Sequence, residues 1–541
     1  MTTIDNRPEA VSSALAEAAD DAGRAIQGVA SWATTADHKR IGRAFMVASL
    51  VMGAAALLVG ALLGIERLNP DDTVLQADSI GQLFSLHRVG MLYLVAMPLL
   101  LGLGLAVAPL QIGSRSLSFS RTAALGFWAW LMGSILVIVA FIGNGGPGGG
   151  DADMVDLFLM GLALALIGIV AASVSLVTTI LTSRAPGMKL DRTPALAWSA
   201  LVGGLANVLV LPVVIGVLIL LSVDHQYGRL VFDGNAGILN WMSWAISQPA
   251  SFIAVIPALG AAADVVITAS GRRHPLRGGV LVGIGVFATA MLGAVTQVSH
   301  DLPWSGSSTG DKIADVLPFA LFNLLPILGA VIVLGMVAMA LKAGKPPLSA
   351  GLVFSLTGLV VIVGGVVAHA LAPIVDLQLA GTTYDEGVFT AVTSGGLLVG
   401  LGAIAHWGPK LWGRRIGDKQ LLPLALLGFI GADLGALALA IAGFQGQPAM
   451  AGGGFDYEFS PQLLNGVAMA GSSLVALVVV LFGLLALRSF TSGEAVGDDP
   501  WDGQTLEWAT SSPPPANNFS DLHTVSSAEP LLDLKPARSD A

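Results

Sequence analysis

The sequence contains no cysteine, which excludes disulfides, thiolate metal sites and iron–sulfur clusters. Charge is also scarce. Asp, Glu, Lys and Arg make up 11% of the residues, against roughly 25% in an ordinary soluble domain. Histidine is limited to 8 of 541 residues, and this caps any set of imidazole ligands the chain can assemble. A formal net charge of −10 leaves no basic face for nucleic acid. The first forty residues are Ala-rich and lack an apolar h-region, so no signal peptide is expected there.

Apolar sequence is what the chain has in excess: 54% of residues are hydrophobic and mean hydropathy is +0.77. A soluble core cannot hide this much apolar surface, so the bilayer is expected to be its solvent. Twelve runs of spanning length lie near 43–65, 86–112, 122–143, 154–182, 194–222, 239–270, 277–299, 313–341, 347–371, 386–409, 420–443 and 462–488. The loops between them alternate in charge. One side carries the Lys and Arg residues from Lys39 and Arg40 through Arg272 and Arg273 to Arg414, Arg415 and Arg488, while the other holds only Arg67, Arg229 and Lys312. By the positive-inside rule both termini are expected in the cytoplasm, with the chain crossing the membrane many times. Residues 1–31 read as a solvated cytoplasmic arm and 32–490 as the membrane domain. Residues 491–541 are polar and rich in Pro and Ser, a disordered cytoplasmic tail by composition. The 67 glycines suit close helix packing in lipid, and those inside spans or in the loop Gly145 to Gly150 do not form a phosphate loop.

Several stretches have an order that composition does not explain. His87 opens the second run, Met97-Pro98 lies midway along it, and Pro109 to Arg121 closes it. Trp32 to Gly42 precedes the first run, His406-Trp407-Gly408-Pro409 closes the tenth, and Ser270 to Pro275 closes the sixth. The tail carries Leu506-Glu507-Trp508-Ala509-Thr510-Ser511-Ser512-Pro513-Pro514-Pro515 followed by Asn518-Phe519. Together these resemble subunit I of the haem–copper oxidases, the cytochrome c oxidase family, over roughly residues 32–520. The resemblance implies an all-α integral membrane protein, a twelve-helix bundle of subunit I type, in an aerobic respiratory electron-transport complex. It also implies six membrane histidines: two on a low-spin haem, one on a high-spin haem and three on copper.

Most of those ligands are absent. His38, His225, His274 and His523 fall in loops or tails, which leaves His87, His300, His369 and His406. Where the family has H-P-E-V-Y-I, this chain has Gln248-Pro249-Ala250-Ser251-Phe252-Ile253. Gln does not replace imidazole on copper, Ala carries no proton and Phe lacks the phenol. The paired histidines of the seventh run become His300-Asp301, so His300 is a residual metal candidate set against a hydrogen-bonded helix end. In the tenth run the two haem histidines map to Gly387 and Phe389 when counted back from His406, or to Val388 and Thr390 with a shift of one residue. Neither register offers a donor. His369 lies a whole helix too early to be one of them. The lysine of the family's proton channel maps to Ala330, the acidic proton entrance to Ser116, and its asparagines to Ala123 and Ala124. The propionate-binding arginines give way to the stretch Gln445 to Met450.

Two residues remain candidates. His87 is a candidate axial ligand for a single haem, against a histidine hydrogen-bonded near a helix end, with Arg88 snorkelling to the same interface. Asp433, midway along the eleventh run, is an intramembrane charge and by default a functional candidate, against a replacement for the family's asparagine. Copper is not expected. The expected function is a divergent subunit I-like scaffold or accessory subunit that lacks the oxygen-reducing centre. It would bind membrane lipid and subunit II- or III-like partners or a cytochrome. The alternatives are a single-haem electron-transfer subunit using His87 and an ion-coupled transporter using Asp433.

Overall fold

The computed structural model describes residues 30–68, 77–246, 250–296, 298–303, 308–450, 461–521 and 524–534. The arm at residues 1–29 and the positions Gln248, Pro249 and His523 lie outside the described residues. Among the described residues twelve helices are long and apolar enough to cross a membrane: α1 His38–Glu66, α2 Ser79–Gln111, α3 Ser120–Ile142, α4 Ala152–Thr182, α5 Ala195–Gln226, α6 Gly237–Ser270, α7 Arg277–Thr296, α8 Thr309–Gly344, α9 Ala350–His369, α10 Thr383–Trp412, α11 Asp418–Phe444 and α12 Gln462–Ser492. The number matches the sequence expectation. Starts come earlier wherever a polar first turn had read as loop. Thus Thr382 caps α10 by accepting the Tyr384 amide, as Asp37 does for α1 and Asp151 for α4.

α2, α6 and α10 are buried along most of their length, with the other helices around them, and α12 packs on α1 to close the bundle. In a bilayer, contact between helices depends on close packing rather than on apolar burial. The α3–α4 crossing illustrates this. A Cβ on Gly126 would stand 2.6 Å from the Gly168 carbonyl oxygen, and one on Gly168 would stand 2.4 Å from that of Gly126.

Both π-helical turns among the described residues have the same local cause. In α2 the turn Gly90–Ala96 precedes Met97-Pro98, and in α8 the turn Ala320–Leu324 precedes Leu325-Pro326. A proline ring clashes with the carbonyl four residues back and donates no hydrogen bond. The helix widens ahead of it, and the Met97 and Leu325 amides reach back five residues to the Leu92 and Ala320 carbonyls.

Residues 491–521 and 524–534 are folded against the bundle, which corrects, for those residues, the disordered reading that composition invites. Strand β1 Arg414–Arg415 pairs antiparallel with β2 Glu494–Ala495, and the tail then runs across the face of the bundle that carries the first and last described residues, Ala30 and Leu534. The Trp501 indole donates to the His406 carbonyl at 2.8 Å. Leu506, Glu507, Trp508 and Phe519 are buried. Lys410 Nζ donates to the Asp498 and Thr510 carbonyls at 2.7 and 2.6 Å, and Lys39 Nζ donates to Asn518 Oδ1 at 2.9 Å. Low hydropathy had read as solvation, but these polar residues meet the polar ends of helices.

Candidate functional site

His87 lies just ahead of the widened turn of α2, facing α1. It is 7% exposed, and its Nδ1 bonds the Ala56 carbonyl at 2.9 Å. The ring packs on Gly60, where a Cβ would stand 2.7 Å from the imidazole Cε1. Thr390 and Thr393 of α10 stand across a void of about 10 Å³ that is also lined by Met91 and Ser394. That is roughly the space one water molecule requires, so a porphyrin has no room in this packing.

A much larger cavity, about 490 Å³, opens at the face opposite the termini. It lies among the ends of α2, α6, α9 and α10 and the loop after α7. Arg88, His369, Ser251, Val388, Phe389 and Asp385 are among its lining residues, with His300 and Asp301 in the same wall. Arg88 does not snorkel out to the interface as expected. It is buried, with its guanidinium carbon 4.7 Å from the Phe389 ring centroid and 5.4 Å from that of Phe84. His369, the last residue of α9, packs edge-on against Phe252 at 5.4 Å.

The packing of α10 distinguishes its two registers. Gly387 faces α11, where a Cβ would stand 2.6 Å from the Ala436 carbonyl oxygen. Val388 lines the large cavity and Thr390 faces His87. The one-residue shift, with the haem positions at Val388 and Thr390, is therefore the register that the geometry matches. An isopropyl group and a hydroxyl stand where the resemblance calls for two imidazoles. Neither is an axial haem donor of the imidazole, thiolate, thioether or phenolate kind.

His300 follows α7 in a loop held to the loop after α9 by the Leu302 amide on the Pro373 carbonyl at 2.8 Å. Its ring meets Phe322 edge-on at 6.3 Å, and burial holds its imidazole below the usual histidine range. Asp301 is exposed and accepts from Ser299 Oγ at 2.9 Å. Among the described residues no group of three or more His, Asp or Glu is placed to hold a metal ion. The residues present do not fit a histidine-ligated haem pair and copper.

Asp433 sits half-exposed on α11 and lines neither cavity. Asp264, a weaker intramembrane charge, caps α5 from α6: its carboxylate accepts the Ala195 and Leu196 amides at 2.9 and 2.8 Å. Gln111 ties it to the tail by donating to Asp264 Oδ2 at 3.0 Å and to Glu507 Oε1 at 3.1 Å.

Sequence reasoning missed a buried ion pair at the other face. Arg67 of the loop after α1 grips Glu386 of α10 in bidentate fashion, at 3.1 and 2.8 Å, with both side chains about 95% buried. Asn465 Nδ2 donates to the Arg67 carbonyl at 2.9 Å, and Gln447 Nε2 donates to Asn465 Oδ1 at 3.0 Å. The available signal was Arg67 itself, a lone arginine in loops otherwise poor in positive charge.

The arrangement has relatives. A family model described as Cytochrome C and Quinol oxidase polypeptide I matches residues 40–482. The chain is 29% identical to cytochrome c oxidase subunit 1 of Bacillus subtilis, over 93% of this chain and 83% of that one. It is 28% identical to cytochrome c oxidase subunit 1 of Corynebacterium diphtheriae, over 95% and 93%. A haem–copper terminal oxidase solved as a dimer by cryo-electron microscopy shares the fold, with a TM-score of 0.64 at 15% identity, covering 84% of this chain and 85% of that one. With the twelve-helix bundle, the docked Leu-Glu-Trp tail and a match over most of its length, the chain belongs to the family of cytochrome c oxidase subunit I, as a multi-pass membrane protein of the respiratory chain.

Proposed function

We propose that this subunit does not reduce oxygen and serves as a scaffold or accessory subunit of a respiratory oxidase complex. The observation that carries the reading is in α10. Val388 in the large cavity and Thr390 opposite His87 leave both haem positions without an imidazole. At the position of the paired copper histidines only His300 keeps a ring, and its neighbour is Asp301. The proton-entry positions Ala330 and Ala123 are fully buried and apolar, as expected of helices held by packing alone, since charge within a bilayer is costly. What persists is the surface: the docked tail, the inner helix ends and the apolar flanks that meet lipid and neighbouring subunits.

The test is a reduced-minus-oxidised spectrum with copper analysis on the purified chain. No stoichiometric Soret band and no copper are expected; two haems with a copper ion would sink the reading. Mild-detergent capture should bring down a subunit II- or III-like protein or a cytochrome, and a lone monomer would count against a scaffold role. In this reading both termini are cytoplasmic, following the charge of the loops.

A single haem at His87 is the weaker reading. The Nδ1 bond to Ala56 suits an axial ligand, but the void beside the ring accommodates no porphyrin. Ion coupling through Asp433 is weaker still, because that carboxylate borders neither cavity.

A further inference from the structure

We propose that the large cavity opposite the termini binds an organic anion with a compact apolar body, held by Arg88. The proposal goes beyond the accessory role and rests on the reading that no porphyrin fills this space. Buried polar groups in native proteins are nearly always partnered, and arginine does not shed its charge. Arg88 is 7% exposed. Among the described residues its guanidinium meets only the Phe84 and Phe389 rings, and its Nε is buried without a hydrogen-bond partner. His369 Nε2, in the same wall, is likewise buried and unpartnered. Two polar side chains from two different helices, one of them a permanent cation, thus line one cavity with nothing of the protein to bind.

The acids nearby do not supply the missing partner. Glu386 is spent on Arg67. Asp385 is half-buried, turned to the Gly381 amide at 3.2 Å, and makes no ion pair with Arg88 within 4 Å. Asp301 is exposed and accepts from Ser299. The Asp385 and Glu386 charges act on Arg88 only from a distance, and among the described residues no carboxylate contacts the guanidinium, so the ligand's polar end is an anion, best a planar carboxylate that takes the guanidinium fork. Trp244, Val388, Phe389 and Pro373 supply apolar wall for its body. A cavity of about 490 Å³ falls in the range of small-molecule sites, roughly 300–1,000 Å³. The same chemistry has two sources, a carboxylate solute from the aqueous phase or the anionic end of a lipid.

The test uses the full chain in phosphatidylcholine nanodiscs and ¹⁹F NMR of 4-fluorobenzoate. The neutral 4-fluorobenzamide and the cationic 4-fluorobenzylamine serve as isosteres. Saturable binding of the benzoate is expected, at least tenfold tighter than of either isostere. Arg88→Gln should weaken it at least tenfold. Asp385→Asn, which removes a competing carboxylate without touching Arg88, should tighten it severalfold. Equal binding of the three probes, or benzoate binding indifferent to both substitutions, would overturn the proposal. If Arg88→Gln fails to fold, an unchanged or weaker affinity in Asp385→Asn overturns it alone. Displacement of the benzoate by added phosphatidylglycerol assigns the site to a lipid headgroup, and no displacement assigns it to a solute; both support an anion site. Two haems with a copper ion in the same preparation would defeat the accessory reading and this one with it, whereas a colourless protein that ignores benzoate defeats only this one.

Discussion

Glu507 shows how much a single side chain carries at the face bearing the termini. It lies in the tail yet is wholly enclosed, accepting from Gln111 and from the Trp407 indole at 3.1 and 3.3 Å, with its second oxygen buried and unpartnered. Burial pushes its carboxyl up to about 7 from an ordinary 4.5, the hydrogen bonds offsetting only part of that. Between those two values the folded chain keeps a proton that the unfolded chain has released. Its contribution to stability therefore declines as pH rises from about 4.5 to about 7 and is level above that, by on the order of 3 kcal/mol in all. Glu507→Gln should flatten that part of the profile and match or exceed the parent at pH 8. Thermal unfolding in detergent from pH 5 to 8 checks this, and parallel curves for the two proteins would refute it. The Arg67–Glu386 pair follows a different logic: neither member is tolerable alone, since an uncompensated buried charge typically costs about 3–5 kcal/mol.

At the scale of the helix, position and neighbours decide which residues are indispensable. Pro98 and Pro326 widen their helices without breaking them because the residue before each proline reaches one carbonyl further back. The glycines divide in the same way. Gly168 of α4 meets the Trp130 amide nitrogen and the Gly126 carbonyl oxygen of α3 at 2.4 Å from its notional Cβ, while Gly216 of α5 has nothing within 4 Å. Gly168→Leu should therefore part α3 from α4 and abolish a monodisperse elution peak, since backbone cannot yield as a side chain does. Gly216→Leu should elute like the parent. Fluorescence-detected size exclusion of the tagged variants separates the two outcomes, and equal peaks would show that the α3–α4 contact is dispensable.

For the molecule as a whole, the tail behaves as a strap. It joins the ends of α1, α2, α6 and α10 through Asn518, Glu507, Gln504 and the Lys410 contacts. Beyond it, the Val525 amide reaches the Pro186 carbonyl at 2.8 Å, and Glu529 lies beside Arg273 and Arg277. Burying Leu506, Trp508 and Phe519 contributes about 1.5–3 kcal/mol for each large side chain. Removal of residues 494–541 should lower stability by several kcal/mol. In the intact chain, proteinase K should cut the stretch from 498 to 519 only as the bundle melts. Rapid cleavage there at low temperature would mean that the strap is not docked.

Twelve apolar runs were legible from residue order because bilayer thickness demands about 20 apolar residues wherever a helix crosses. The family was legible because His87, Met97-Pro98, His406 to Pro409 and the Leu-Glu-Trp tail stand in fixed order, whatever they touch. Where the chain carries another side chain in place of the family's imidazole could be read from residue type alone, as at Gln248 and Asp301. The register of α10 could not, because one residue along a helix turns a side chain by about 100°, and only packing against Ala436 on one side and His87 on the other settles which residue faces which space. Nor could the order in the tail, the pairing of Arg67 with Glu386, 319 positions away, or the isolation of Arg88 over Phe389. Those are contacts between segments far apart in the chain, and they come into being only when the helices stand side by side.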